Sequence, residues 1–220
     1  MKNIKKFHLS MFYLSIMFLT TGVYASKRIA NYEVTITNIT PGQTFTPILL
    51  ASHRSNISIF KLGSPASPEL TQLAESGDIN PLRAKLISSN RVLDTKTNGE
   101  LLGPGKSITL KITASVKARY FSLAAMLIPT NDAFLALNRI PFPLIKSEYY
   151  AVAYDAGSEP NDELCASIPG PRCQGEGNSP DRDGEGFVHV HNGMHGIGEL
   201  KANIYDWRNP VAKIVIKRVR

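Results

Sequence analysis

The chain has 220 residues, of which 20% are charged and 43% hydrophobic, with two cysteines and a formal net charge of +7. That balance excludes a disordered chain, a coiled coil and a mini-protein built on disulfides. The charge alone invites a nucleic-acid or anionic-membrane reading, and the first residues remove most of its force.

Residues 1–25 begin with Lys2, Lys5 and Lys6, continue through an apolar run from Leu9 to Leu19, and end with the small residues Val23 and Ala25. This pattern predicts a secretory signal peptide cleaved after Ala25. The apolar run is too short to span a bilayer comfortably. Removal takes three of the 25 basic residues and none of the 18 acids, so +7 becomes +4. The expected mature chain, 26–220, is one exported domain, periplasmic or secreted, with no membrane span and no nucleic-acid partner. Its terminal basic residues Lys213, Lys217, Arg218 and Arg220 read as the solvated side of a strand.

Along that chain, Tyr32 to Ile39 alternates apolar and polar residues and reads as a half-buried strand, ended by Pro41-Gly42. Phe45 to Ala51 is a second extended run. A helical interlude follows, with Ser67 as N-cap, Pro68 in the first turn, Glu69 beside it and Gly77 as the stop. Asp78 is placed to cap a second short helix through Leu82 and Leu86. Ser107 to Ala114 alternates again, and Tyr120 to Ile128 is continuously apolar, as a central strand would be. Glu148 to Tyr154, Gly186 to His191 and Val211 to Val219 complete the set. No strand–helix alternation runs through the chain. The expected class is all-β, an antiparallel β-sandwich with a short helical insertion.

Residues 157–186 are rich in Gly, Pro, Asp and Glu and poor in large apolar groups, which predicts a long loop unable to bury a core. Cys165 and Cys173 lie inside it. In an oxidising compartment the simplest reading is a disulfide pinning the loop. A pair of thiolate metal ligands is the alternative, although the spacing is not that of a Cys-x-x-Cys site.

Two groups of residues could carry chemistry. Asp132, in Thr130-Asn131-Asp132-Ala133, follows the most apolar strand, while Asp155 and Glu159 flank a glycine at another strand exit. Calcium takes six to eight oxygen ligands, which acids at neighbouring strand ends can supply. The ordinary alternative is that these acids are merely solvated. The second group is His189, His191 and His195, three of the five histidines. A His-x-His pair on a strand shares one face and, with a third histidine, suits Zn²⁺ or Cu²⁺. Otherwise these side chains bond to backbone or to nearby acids such as Asp183, Glu185 and Glu199. His53 stands alone and reads as structural. No Ser/His/Asp or Cys/His arrangement is evident, and a non-enzymatic protein is expected.

Tyr32-Glu33-Val34-Thr35-Ile36-Thr37-Asn38-Ile39-Thr40, Met126 to Phe134, Tyr154-Asp155-Ala156-Gly157-Ser158-Glu159 and Pro210 to Ile214 occur in that order. Together they resemble the spondin N-terminal domain family in its bacterial form, over roughly residues 30–219. The resemblance implies a C2-like β-sandwich with a bound calcium ion, of the kind found in extracellular-matrix and adhesion proteins. It nominates Asp132, Asp155 and Glu159 as calcium ligands, joined by a backbone carbonyl near Ala156. Two departures from the animal motifs are Ala133, where a tryptophan is usual, and Glu159, where an aspartate is usual. The function so implied is a calcium-stabilised binding or adhesion-like module with an envelope or extracellular protein or glycan as its ligand. The rival is a zinc- or copper-handling protein or metalloenzyme centred on the three histidines, which the resemblance does not cover.

Overall fold

A computed structural model describes residues 29–178 and 183–219. The predicted signal peptide, part of the predicted loop (179–182) and Arg220 lie outside the described residues. Among the described residues, ten strands run as β1 (Ile29–Asn38), β2 (Thr44–Phe45), β3 (Leu49–His53), β4 (Val92–Thr97), β5 (Ser107–Ser115), β6 (Tyr120–Ile128), β7 (Ala133–Pro141), β8 (Lys146–Asp155), β9 (His189–Val190) and β10 (Ala212–Val219). Helices α1 (Pro68–Ser76) and α2 (Asn80–Ser88) fall between β3 and β4, and the short α3 (Ala202–Tyr205) precedes β10.

All pairings are antiparallel, in the order β4-β3-β6-β7-β8-β10-β1-β5, with β2 added to β6 and β9 to β8. The corner of the sandwich is β8. Its first half, Lys146 to Ala151, pairs with β10, while Val152 to Asp155 pairs with β7. At the far side the ladder nearly closes on itself, where the Thr113 amide of β5 donates to Asp94 Oδ2 of β4 at 3.0 Å.

Strand β1 shows why the alternation forms a sandwich. Val34 and Ile36 are fully buried between the sheets with Ile214, Ile216, Phe121 and Leu123. Thr35 and Thr37 face outward and bond across to Thr109 and Ser107, each pair at 2.8 Å. Strand β6 is different. Phe121, Leu123, Ala125 and Leu127 enter the core between the sheets, while Ala124 joins a second core beneath α1 and α2. A strand covered on both faces has no solvated side to alternate with, hence its continuous apolar sequence. The second core gathers Leu70, Leu73, Leu82 and Leu86 onto Leu49, Ala51, Phe134 and Ala136.

The α1 signals are all used. Ser67 Oγ accepts from the Leu70 amide, and Gly77 takes a left-handed φ of 73° while donating to Leu73 O. A Cβ on Gly77 would lie 2.6 Å from Thr46 Cγ2, so packing as well as φ requires glycine there. Asp78 Oδ1 accepts from the Asn80 amide at the start of α2.

Several expectations need correction. The run Phe45 to Ala51 is not one strand but two, because Pro47 lacks a donor and the Ile48 amide leaves the ladder for Asn98 Oδ1. Strand β9 is only two residues, since the Gly186 amide bonds to Gly157 O and the Val188 amide to Ser64 O. The loop after β8 is pinned by the Cys165–Cys173 disulfide, with Cα atoms 4.7 Å apart, which removes the thiolate alternative. It does bury a core residue, because Ile168 is fully enclosed. His53 is buried and structural, bonded to Arg54 O and Ser122 Oγ.

Leu73 is fully buried in the second core and Leu144 is 85% exposed at the β7–β8 turn. Leu73→Ala is expected to lower unfolding free energy by about 3 kcal/mol. Leu144→Ala is expected to change it by less than about 0.5 kcal/mol. Urea denaturation of both variants measures the contrast.

Candidate metal centre

The site forms at one end of the sandwich, where β6 turns into β7 and β8 ends. Thr130 Oγ1 donates to Leu127 O at 2.5 Å and accepts from the Ala133 amide at 3.2 Å, which fixes the turn that presents Asp132. Asp155 is the last residue of β8 and pairs with Ala133 on one side and His189 on the other. Two ladders therefore bring Asp132 and His189, 57 positions apart in sequence, to opposite flanks of one carboxylate.

Asp132, Asp155 and Glu159 are all fully buried. Asp132 Oδ2 accepts from the Ser158 amide at 2.8 Å, Ser158 Oγ at 3.1 Å and the Glu159 amide at 3.1 Å. Asp132 Oδ1 is buried with no hydrogen-bond partner. Asp155 Oδ1 accepts from the Gly157 amide and Oδ2 from Asn161 Nδ2, each at 2.7 Å. Gly157 has a φ of 68°, and a Cβ there would lie 2.4 Å from Phe187 O. Glycine is thus what lets the Asp155–Glu159 turn pack against the segment leading to β9. The buried Ala156 lies within that turn and donates its amide to Asp132 O at 3.2 Å.

Among the described residues, no Lys or Arg forms an ion pair with Asp132 or Asp155. Burial pushes the Asp132 carboxyl well above the usual carboxylate range, and the nearby Asp155 charge pushes it further. The hydrogen bonds from Ser158 and Glu159 act the other way without prevailing.

The histidines separate. His189 Nε2 lies 3.6 Å from Asp155 Oδ1 and 3.8 Å from Glu185 Oε2. One ligand atom from each of Asp155, Glu185 and His189 can be chosen so that all lie within 4.8 Å of one another. This is a carboxylate–imidazole group of the kind that holds a metal ion. His191 Nε2 lies 3.7 Å from Asp155 Oδ2, and its ring packs 5.0 Å from that of Trp207. Burial lowers its pKa, outweighing the raising effect of Asp155. His195 is exposed, and its amide donates to Glu163 Oε1 at 2.5 Å.

Sequence reasoning treated acids and histidines as rival sites, whereas the structure joins them through Asp155. It gave Glu185 only a supporting part and Asn161 no specific role beyond following Glu159, whereas Asn161 Nδ2 reaches Asp155 and, at 3.3 Å, Glu185 Oε1. Glu163 was also missed as a buried carboxylate accepting the His195 and Ile197 amides. The one available signal was the i, i+4 spacing of Glu185 and His189.

Fold and site together define an antiparallel β-sandwich module with buried carboxylates at its strand ends. The chain belongs to the Spondin_N family, whose model matches residues 31–157. Asp132 and Asp155 lie within the matched span, while Glu159, Glu185 and the three histidines lie beyond it. No curated protein matches the chain.

Because its folded-state pKa is raised, Asp132 is neutral in the fold at low pH. Its penalty is absent below the ordinary carboxylate pKa and grows as pH rises from there toward the raised value. In chelator, Asp132→Asn is therefore expected to melt higher than the parent near pH 8, with the gap narrowing as pH falls to about 5. Parallel melting curves across that range test the sign. A gap that widens on acidification would contradict it.

Proposed function

We propose that this chain is an exported, non-enzymatic binding module stabilised by a structural calcium ion. Asp132, Asp155 and Glu159 would hold the ion, with a backbone carbonyl near Ala156. The carrying observation is Asp132 Oδ1, a fully buried carboxylate oxygen without a hydrogen-bond partner, beside a second buried carboxylate. Such a pair is costly unless a cation offsets its charge. Carboxylate and carbonyl oxygens are the donors that calcium takes. The ion would fix the β6–β7 turn against the Asp155–Glu159 turn at this end of the sandwich. Family membership and the disulfide support an extracytoplasmic setting, periplasmic or secreted. An adhesion-like role toward a protein or glycan of the envelope or matrix follows from the family resemblance alone.

Extracellular calcium modules bind at about 10⁻⁴–10⁻³ M. At a hundredfold excess over the dissociation constant, calcium adds about 2.7 kcal/mol. In a domain of this size that raises the melting temperature by roughly 5–10 °C. The purified protein is expected to show that rise in calcium-containing buffer relative to chelator, and Asp132→Asn is expected to abolish most of it. Identical melts with calcium and with chelator would overturn the reading.

A further inference from the structure

We infer that Asp155, Glu185 and His189 form a second cation position, for a zinc-class transition ion, with its fourth coordination place open to solvent or to a ligand group. This goes beyond the calcium position, with which it shares one residue, Asp155.

The first argument is distance. His189 Nε2 stands 3.6 and 3.8 Å from its two carboxylate oxygens. A charge-assisted hydrogen bond would be about 2.7–2.9 Å. A tetrahedron with zinc–ligand bonds of about 2.0–2.1 Å has edges of about 3.3–3.4 Å. The spacings therefore lie closer to the edges of a coordination tetrahedron than to direct pairing. His189 Nε2 is buried and has no hydrogen-bond partner. The neighbour His191, only 6% exposed, also aims an unpartnered Nε2 toward Asp155.

The second argument is the proton on each ring. His189 Nδ1 lies 3.1 Å from Val190 O. A carbonyl only accepts, so Nδ1 donates there and Nε2 is the ring nitrogen left facing the two carboxylates. A metal-bound histidine is commonly held this way, with its other ring N–H on a backbone carbonyl. His191 is opposite. The Gly193 amide donates to its Nδ1 at 3.0 Å, which puts the proton of the neutral ring on Nε2, pointing at Asp155 Oδ2. His191 thus turns an N–H rather than a lone pair toward Asp155, which leaves His189 as the ligand.

The third argument is access. The Glu185 side chain is 39% exposed and that of His189 23% exposed, while Asp155 is enclosed. The group therefore has one buried anchor and, in Glu185, one carboxylate at the surface. Two carboxylates and one imidazole match zinc, cobalt or manganese better than copper(I), which favours sulfur. The sulfur-bearing Met194 is buried in the core between the sheets.

The test is titration of chelator-stripped protein with Zn²⁺, and with Co²⁺ read by visible absorption. One equivalent is expected to bind. Glu185→Gln, on an exposed segment where misfolding is not a concern, and His189→Ala are each expected to weaken binding about tenfold or more. His191→Gln should keep the cobalt spectrum, and Asp132→Asn should keep zinc affinity while losing the calcium response. No stoichiometric zinc uptake, or uptake unchanged in Glu185→Gln and His189→Ala, overturns the inference. So does zinc binding lost in Asp132→Asn, which would place the ion with the calcium ligands. A calcium-raised melt without zinc uptake would sink this position alone and leave the calcium reading standing.

Discussion

The pairing of Asp155 with Ala133 on one side and His189 on the other governs the functional end of this molecule. A strand presents neighbours in the sheet at a spacing of about 4.8 Å. Whatever the last residue of β8 carries is therefore held between β7 and β9. Here it carries a carboxylate with no access to water. Asp155 meets that constraint locally, accepting from the Gly157 amide and Asn161. Asp132 meets half of it, since one oxygen takes three donors and the other takes none. A one-residue slip between β7 and β8 would turn Asp155 to the opposite face and dissolve the site.

That register is held by the two cores rather than by the site itself. Strand β6 is clamped between the sandwich interior and the helical layer, and it carries β7 with it. Phe134 of β7 packs in the helical core, while Ala133 and Leu135 enter the core between the sheets. Apolar burial on both faces of β6 and β7 outweighs the penalty of concentrating acids where those strands turn.

Much of the fold was legible because it rests on local signals. Val34 and Ile36 announce β1 by alternation, and Ser67, Pro68 and Gly77 bracket α1. Strand β7 was not legible. Ala133 to Leu137 is buried on both faces and does not alternate, and it begins immediately after a turn whose interest lay in its acid. Strand β4 was missed for the opposite reason, since its residues are only half-buried at the edge where the ladder nearly closes. Individual site residues were visible as chemistry, but their combination was not. Asp155 and His189 meet through a pairing that spans the disulfide-pinned loop, and no local pattern encodes that register.

The family match ends at Gly157, two residues past the end of β8. Asp132 and Asp155 belong to the matched sandwich, and a hard cation among buried oxygens is a natural partner for them. Glu185 and His189 arrive from the other end of the loop. They bring an imidazole nitrogen and an exposed carboxylate to the opposite flank of Asp155. One enclosed carboxylate thus faces two environments, one of oxygen alone and one of mixed nitrogen and oxygen. Ligand softness, more than distance, decides which ion each would select. His189 and His191 lie two residues apart, yet the backbone engages their Nδ1 atoms oppositely, as donor to Val190 O in one case and as acceptor from the Gly193 amide in the other. The donor atoms at this end of the molecule are therefore set as much by main-chain hydrogen bonds as by the side chains they orient.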